Sequence, residues 1–524
     1  MANQQKPNIV LVMCDQLTAI ALSSYGNKVT KTPNIDALAA QGTVFENAYC
    51  NYPLCAPSRF AMMSGRLPSK IGAFDNGAEF PAAVPTIAHY LRDAGYYTCI
   101  SGKMHFVGPD QHHGYEDRLT TEIYPSDFGW VPPQTYEDMD AAGKGAEGKV
   151  PFGVSSVETI ADAQALARSQ QFDYDEEVAR RAVQHIFDWR RYSTDGRPLF
   201  MTVSFTQPHD PYVITKEFWN LYTNEEIDEP LTPKIPLDQM DPHSRQLYFH
   251  YSLDKFDVTD EIYRRARRGY YGMISYVDSK LGELRQALGE AGIADNTIIM
   301  FTSDHGDMIG ERGLWFKKNV FEPSVRVPLI MYRPQAVKSD LSRVSAPVSL
   351  VDVLPTLVEL ATGSTAAIFT EYEGSSLMPL LKKDDPDRDI MVEHLDGATP
   401  APRVMIRQGM RKIVVSDAFQ TQFYDLETDP TETNDLACDP TRKEEVERLE
   451  AVVRQRWDLK RLRQEVINSQ RKHQFIYRAM QQGKHRSWEH YPDAIRDHTR
   501  FVRSGERFPE VERRSYLRYA EGDY

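Results

Sequence analysis

Short apolar runs that end in polar or charged side chains constrain the fold of this chain more than any other feature. The runs stand in the segments NIVLVMCD, YYTCISGKMH, PLFMTVSFTQPHDP, NTIIMFTSDHGD and RVPLIMYRP. Such runs are typical of strands that are buried on both faces. Helices are predicted between them, for example over residues 33 to 40 before Gly42 and 86 to 94 before Gly95, because glycine commonly follows the last turn of a helix. This alternation predicts an α/β domain with a mostly parallel sheet flanked by helices.

The polar residues that follow these runs are expected to meet at one edge of the sheet. Parallel strands place their carboxyl ends at the same edge, and α/β proteins bind ligands there. The residues concerned are Asp15, Lys103, His105, His209, Asp304 and His305. The sequence therefore predicts a functional site at this edge.

The charge of the chain excludes several classes of partner. Its 524 residues carry a formal net charge of −14 and no basic stripe, so we expect no nucleic acid and no membrane among its partners. No apolar run reaches the roughly 18 to 20 residues that a bilayer span requires, and the opening MANQQKPN lacks signal-peptide character. We therefore expect a cytoplasmic protein. Its five cysteines are widely spaced without a CxxC pair, which argues against a disulfide framework or a zinc knuckle.

Composition divides the chain into three parts. Residues 1–375 hold the alternating strands and helices and are predicted to form the main domain. Residues 376–460 contain GMRKIVVS and QFYDLETDPTETND, which predict a small antiparallel-sheet subdomain, followed by a helix over residues 443 to 460. Residues 461–524 form a charged and aromatic tail, predicted to be helical or extended.

The tail has two interpretations. It is either a solvated extension or a segment that packs against the body or against a neighbouring subunit. Its aromatic residues favour packing and a homo-oligomer, because disordered tails contain few of them. These residues are Phe475, Tyr477, Trp488, Tyr491 and Phe501.

Two carboxylates and one imidazole at the sheet edge are candidate metal ligands. Asp304 and His305 follow one strand and Asp15 follows another. An Asp-His pair alone is about as often a loop cap as a metal site. With Asp15 beside it, the oxygen-rich set suits a hard divalent ion such as Ca²⁺, Mg²⁺ or Mn²⁺ rather than zinc.

Cys55 stands at a predicted helix start in NYPLCAPSRFAMMSGR. The helix dipole and the nearby Arg59 favour the thiolate, which is reactive. The alternative is an ordinary structural cysteine. Five basic or donor side chains, namely Arg59, Lys103, His105, His209 and Lys317, are expected around the same point. A tetrahedral oxyanion needs such a cluster and a neutral substrate does not.

CAPSR followed by SGR, together with SDHGD and GKMH, resembles the type I sulfatases of the alkaline phosphatase superfamily over nearly the whole chain. The resemblance implies that Cys55 is oxidised to formylglycine by a formylglycine-generating enzyme, which recognises Pro57 and Arg59. It also implies an alkaline-phosphatase-like fold and the hydrolysis of a sulfate ester. A hydrated aldehyde offers one hydroxyl to attack sulfur and a second to expel sulfate, so no second attack at sulfur is needed.

The resemblance also implies a role for each site residue. Asp15, Asp304, His305 and modified Cys55 hold one divalent ion, Ca²⁺ in the first place, with Mn²⁺ or Mg²⁺ as alternatives, and Arg59 holds the modified side chain. Lys103 and Lys317 hold sulfate oxygens. His209 protonates the leaving alkoxide and His105 takes a proton from the diol, although these two roles are exchangeable.

One residue departs from the family pattern. Most sulfatases carry two adjacent aspartates after the first strand, whereas this chain has Cys14 before Asp15. A thiol is a poor ligand for Ca²⁺, so Cys14 is expected to be structural and the site to favour Mn²⁺ more than usual.

Within the family, SGKMHFVGPDQHHGYEDRLTTEIYPSDFGW and SFTQPHDPYV resemble the choline sulfatases. A quaternary ammonium group suits an aromatic face, which Trp130 offers, with Asn76 as a polar contact and Glu393 or Asp396 as an acidic wall. By spacing alone, Trp130 is equally an ordinary core aromatic. Residues 131–170 and the tail beyond Phe501 depart from the pattern, which leaves the leaving group open.

Two other functions remain open at this stage. A phosphonate monoester or phosphodiester hydrolase uses the same kind of centre, because its substrate is also tetrahedral with one negative charge. A catalytically silent binding protein with the sulfatase fold would keep Cys55 unmodified.

Overall fold

A nine-stranded sheet lies at the centre of the molecule. The computed structural model describes residues 6–132, 155–193, 195–334, 340–395, 398–492, 501–503, 505–514 and 516. The strands are β1 (Asn8–Cys14), β2 (Thr43–Tyr49), β3 (Tyr97–Gly102), β4 (Asp117–Arg118), β5 (Gln164–Ala165), β6 (Leu199–Ser204), β7 (Val213–Ile214), β8 (Thr297–Ser303), β9 (Arg326–Val327), β10 (Leu329–Tyr332), β11 (Arg343–Ser349), β12 (Asp389–His394), β13 (Arg403–Gln408), β14 (Arg411–Ser416) and β15 (Gln422–Asp425). The order in the large sheet is β11-β2-β10-β8-β1-β6-β3-β4, and β9 pairs with β2.

Strand β1 is parallel to both of its neighbours, so three strands end side by side. Met13 pairs with Ser204 of β6 and with Thr302 of β8. Strand β3 continues this arrangement, since its Gly102 also pairs with Ser204. The residues that follow these strands therefore lie at one edge, as the sequence predicts. Strand β10 is antiparallel to β8 and to β2, so the sheet is mostly but not wholly parallel.

The apolar runs are continuous because both faces of the sheet are covered. Val10 and Val12 pack into the core on one face, and Ile9, Leu11 and Met13 pack into the core on the other. Successive side chains of a strand point to opposite faces. A strand covered on both sides thus needs apolar residues at every position.

Helices cover both faces of the sheet. Their bounds are Pro33–Gln41, Cys55–Ser64, Pro68–Ile71, Ile87–Asp93, Val157–Ala161, Gln170–Tyr192, Lys216–Trp219, Pro242–His250, Asp260–Glu290, Glu322–Val325, Val353–Thr362, Lys443–Arg456, Leu459–Met480 and Phe508–Arg514. Among the described residues, no helix is at once long enough and apolar enough to pass through a bilayer.

A second, antiparallel sheet with the order β12-β13-β14-β15 forms the small unit predicted near the C-terminus. The helix that follows it ends at Arg456 rather than near residue 460, so the predicted boundary is wrong. Trp457 is extended, and the side chain of Asp458 accepts a hydrogen bond from the backbone N–H of Arg461, which begins the next helix. A helix cap at Asp458 therefore divides the two helices.

Parts of the tail pack against the body. The indole of Trp488 contacts Phe128 with ring centroids 5.3 Å apart, and Phe501 contacts Tyr174 at 5.2 Å. Packing is thus confirmed for these two residues. Phe475 is 64% exposed, so this side chain does not pack on the body, and its packing against a neighbouring subunit stays a prediction.

Candidate active site

Cys55 is the first residue of a helix that is buried along its whole length. The preceding Leu54 is extended, and the helix Cys55–Ser64 has only buried residues. The side chain of Asn76 accepts a hydrogen bond from the backbone N–H of Ala56 at 3.0 Å. Residue 55 therefore lies at a capped helix N-terminus, as predicted, and Asn76 lies next to it.

Four donor groups converge on the position of the Cys55 sulfur. One ligand atom each from Asp15, Cys55, Asp304 and His305 lies within 4.8 Å of the others, and all four residues are buried. Nδ1 of His305 lies 2.9 Å from the carbonyl oxygen of Gly306, to which it can donate. This bond leaves Nε2 of His305, which is 3.3 Å from the Cys55 sulfur, free to accept. Two carboxylates, an imidazole and the side chain of residue 55 fit a hard divalent cation.

Arg59 holds the two carboxylates of this group. Its Nε donates to Asp304 at 2.8 Å and its Nη2 lies 3.3 Å from Asp15. Its Nη1 donates to the carbonyl of Lys103 at 2.6 Å and to the hydroxyl of Ser204 at 2.9 Å. Burial alone would lower the pKa of Arg59, but Asp304 and Asp15 raise it above its ordinary value. The guanidinium thus joins the ends of several strands.

Cations surround the sulfur of Cys55. Nζ of Lys103 is paired with Asp15, and Nζ of Lys317 lies 3.6 Å from the sulfur. Burial alone would raise the pKa of the Cys55 thiol, but Lys103, Lys317 and His305 hold it well below its ordinary value. The site therefore stabilises negative charge at residue 55, which is the property predicted from the sequence.

His209 lies beside Lys317 at the same edge. Its Nδ1 is 2.7 Å from the carbonyl oxygen of Asp210, and its Nε2 is 2.7 Å from Nζ of Lys317. A carbonyl oxygen only accepts, so Nδ1 carries a proton and Nε2 faces the site.

His105 lies on the other side of the site with both ring nitrogens buried and without a hydrogen-bond partner in the described structure. Its ring contacts Tyr124 at 5.3 Å and Trp130 at 5.9 Å between centroids. Burial lowers the pKa of His105 below its ordinary value, while the negative charge of the nearby Cys55 acts in the opposite direction. A neutral imidazole with free nitrogens is suited to accept a proton.

Tyr124 is a site residue that sequence reasoning missed. Its ring lies 4.2 Å from Nζ of Lys103 and contacts Trp130 and Phe508, each at 5.2 Å between centroids. The surrounding TTEIYPSD lacks a regular apolar pattern, so no sequence signal was available. Tyr124 connects the cations beside Cys55 to Trp130 and to the tail.

Gln16 is the second residue that was missed, although its position directly after Asp15 was a usable signal. Its side-chain oxygen accepts a hydrogen bond from Lys317, and its nitrogen donates to Asp210 at 3.1 Å. Cys14 instead packs in the apolar core, in agreement with its expected structural role. The polar neighbour of Asp15 in the site is therefore Gln16.

The predicted acidic wall is not formed by Glu393. Its carboxylate accepts hydrogen bonds from the backbone N–H of Ser69 at 2.8 Å, from the hydroxyl of Ser69, and from the indole of Trp457 at 2.6 Å. This buried carboxylate therefore serves the packing of the C-terminal unit. Asp396 lies outside the described residues.

Family models match the chain along most of its length. The Sulfatase model matches residues 7–364. The model of the C-terminal part of N-sulphoglucosamine sulphohydrolase matches residues 310–458, and the model of the choline sulfatase enzyme C terminus matches residues 464–519.

Known proteins agree with this result. The chain is 41% identical to the choline-sulfatase of Rhizobium meliloti (strain 1021), over 93% of this chain and 94% of that protein. It is 30% identical to the arylsulfatase of Clostridium perfringens (strain 13 / Type A), over 86% and 94%. The crystal structure of the phosphonate monoester hydrolase of Agrobacterium radiobacter shares the fold with a TM-score of 0.67 at 24% identity, over 86% of this chain and 96% of that one. With this agreement and an anion-stabilising site at the sheet edge, the chain belongs to the sulfatase family of sulfuric ester hydrolases.

Proposed function

We propose that this sulfatase hydrolyses the sulfate monoester of a small cationic alcohol, with choline sulfate as the expected substrate. The observation that carries this proposal is the 41% identity to a choline-sulfatase over 93% of the chain. The match of residues 464–519 to the choline sulfatase C terminus supports it, because that segment includes Phe508, which contacts the site through Tyr124.

The cluster at residue 55 supports a divalent ion and a formylglycine at this position. Asp15, Asp304 and His305 would hold the ion together with residue 55, with Ca²⁺ expected and Mn²⁺ or Mg²⁺ as alternatives. When bound, the ion would supply Lewis-acid catalysis, and a hydrated formylglycine at residue 55 would supply the nucleophilic oxygen. Arg59 keeps the two carboxylates oriented toward this point.

The side chains around residue 55 divide the remaining work. Lys103 and Lys317 hold the sulfate oxygens, because both ammonium groups lie at the cluster and their charge stabilises the transition state. His209, whose Nδ1–H is held by the carbonyl of Asp210, donates a proton from Nε2 to the leaving oxygen, and the ammonium group of Lys317, 2.7 Å from Nε2, supplies that proton. His105, whose ring nitrogens are free, accepts the proton from the side chain of residue 55.

The aromatic corner of Tyr124 and Trp130 supports a cationic leaving group. The planes of the two rings meet at 65°, so they offer two faces to an ammonium ion. Burial raises the pKa of Tyr124 well above its ordinary value, and the negative charges of Asp15, residue 55 and Asp210 add to the effect. A negative potential at this corner favours a cation.

The proposal includes two protein partners. Cys55 is only 1% exposed, so a formylglycine-generating enzyme must act on it before the fold closes over it.

A second copy of the chain is the other proposed partner, supported by the exposure of Phe475 on the helix Leu459–Met480. Light scattering of the full chain and of Phe475→Glu would test this association.

The substrate is tested with choline sulfate and its uncharged isostere, 3,3-dimethylbutyl sulfate. Cation–π attraction in a desolvated site is worth about 1 to 2 kcal/mol, so kcat/KM for choline sulfate should be about 5- to 30-fold higher. Equal kcat/KM values would contradict the cationic substrate.

The second candidate function, that of a phosphonate monoester hydrolase, is supported only by the shared fold. It would replace the proposal if a phosphonate monoester were hydrolysed faster than every sulfate ester tried.

A further inference from the structure

The side-chain amide of Gln16 is fully buried and makes three hydrogen bonds. Its Oε1 accepts from Nζ of Lys317. Its Nε2 donates to Oδ1 of Asp210 at 3.1 Å and to Oδ2 of Asp307 at 2.6 Å. An amide nitrogen has two protons to donate, and both are used.

These bonds belong to a closed ring of four residues. Lys317 contacts Nε2 of His209 at 2.7 Å, and Nδ1 of His209 lies 2.7 Å from the carbonyl oxygen and 3.3 Å from the carboxylate of Asp210. Asp210 in turn accepts from Gln16. Gln16 thus links the lysine beside the Cys55 sulfur to the residue that orients His209.

The carboxylate of the ring, that of Asp210, is fixed from outside by Ser155 and Thr159. Asp210 accepts hydrogen bonds from both hydroxyls, each at 2.9 Å. The carboxylate of Asp307, which lies outside the ring and also accepts from Gln16, is held in the same way. Asp307 accepts from the hydroxyl of Tyr212 and from two backbone N–H groups, all at 2.8 Å.

This environment determines which way the amide of Gln16 points. A reversed amide would place its oxygen against two carboxylates and its NH₂ group against an ammonium ion. A glutamate could still accept from Lys317, but it could not donate to Asp210 or to Asp307. Glutamine is therefore the side chain that this position requires.

We propose that Gln16 is a positioning residue that fixes Lys317 and His209 relative to each other, so that Nε2 of His209 is aligned with the leaving oxygen. The inference rests on the proposed role of His209 as general acid. The side chain of Gln16 thus serves the acid side of the site, whereas its backbone N–H donates to the proposed metal ligand Asp304 at 3.0 Å.

The test compares two sulfate esters that differ in their need for a proton. The alkoxide of choline is a poor leaving group, whereas 4-nitrophenolate leaves without protonation. General acid catalysis contributes roughly 10²- to 10⁴-fold. In Gln16→Met holoenzyme, kcat for choline sulfate should therefore fall by about 10²-fold or more, and kcat for 4-nitrophenyl sulfate by less than about 10-fold. The metal content of the purified protein should be unchanged.

Gln16→Glu separates this role from metal ligation and provides a second variant if Gln16→Met does not fold. A glutamate would preserve an oxygen ligand, so full activity of Gln16→Glu would overturn the inference, as would loss of metal from Gln16→Met. Equal losses on the two esters would also overturn it.

Gln111→Met is the matched control, because the buried amide of Gln111 donates to loop carbonyls outside the ring. This variant should affect both esters equally. If the wild type hydrolysed a phosphonate monoester faster than either sulfate, the proposed substrate would be wrong, while the comparison of the two esters would still test Gln16.

Discussion

The centre at residue 55 and the corner around Trp130 are built in different ways. At the centre, Asp15, Asp304 and His305 are fully buried at the ends of strands, and the guanidinium of Arg59 holds both carboxylates. At the corner, Trp130 is only partly buried and depends on ring contacts with Tyr124. The centre is thus fixed by charge at the ends of the sheet, whereas the corner is formed by packing between distant segments.

The tail takes part in the corner but not in the centre. The ring of His473, on the helix Leu459–Met480, stacks on Phe128 at 4.2 Å between centroids, and Phe128 begins the short turn that ends at Trp130. Phe508 contacts Tyr124 directly. On the proposed assignment, chemistry and leaving-group selection belong to different side chains, which are joined by the contacts of Tyr124 with Lys103 and Trp130.

The largest effect is expected at residue 55 itself. Cys55→Ala should lower kcat/KM by about 10⁴-fold or more for every sulfate ester, because the nucleophile is lost. Sulfate release by the wild type and the variant measures this. Cys438→Ala is the control, since Cys438 is exposed and should leave activity unchanged. A Cys55→Ala enzyme with even a tenth of wild-type activity would contradict the assignment of the centre.

Arg59→Lys should produce the next largest effect, again on all substrates. A lysine is a point charge that cannot hold two carboxylates and a carbonyl with fixed geometry, so kcat/KM should fall by about 10²- to 10³-fold and metal content should fall with it. Breaking such a buried network also costs about 3 to 5 kcal/mol of unfolding free energy.

Arg343→Lys is the matched control for this prediction. Arg343 pairs with Glu46 at the surface, where the two side chains are 48% and 38% exposed. An exposed pair contributes about 0 to 1 kcal/mol, so chemical denaturation should separate the two variants clearly. Similar losses of stability would show that Arg59 does not organise the centre.

The same contrast explains what the sequence alone could predict. Asp15 and Asp304 follow apolar runs, and the geometry of parallel strands brings such residues together. Tyr124 and Phe508 could not be paired in this way, because they belong to irregular or distant segments whose contact depends on tertiary packing. Glu393 shows the opposite error, since it was expected in the acidic wall although no pattern placed it there, whereas Ser69 and Trp457 bind it.

A smaller effect, limited to cationic substrates, is expected for Trp130→Leu. Leucine keeps apolar contact but removes the ring face, so the preference for choline sulfate over 3,3-dimethylbutyl sulfate should fall by about 5- to 30-fold. The change should be mainly in KM. If both esters lost the same factor, Trp130 would support the centre rather than select the leaving group.

The smallest effect on catalysis concerns Glu512, which acts on the docking of the helix Phe508–Arg514. Burial raises the pKa of Glu512 to about 8, while the unfolded segment ionises near the ordinary value of about 4.3. Docking of the helix is therefore strongest below about pH 4.3. It weakens as the pH rises toward 8, by about 1.4 kcal/mol per pH unit, because the docked form must keep a proton that the free segment releases.

Hydrogen exchange of residues 505–514 should show less protection at pH 8 than at pH 6, after correction for intrinsic rates. Glu512→Gln should remove this difference, because glutamine does not titrate. An identical pH dependence in the variant would contradict this assignment, because a group other than Glu512 would then control the docking of the helix.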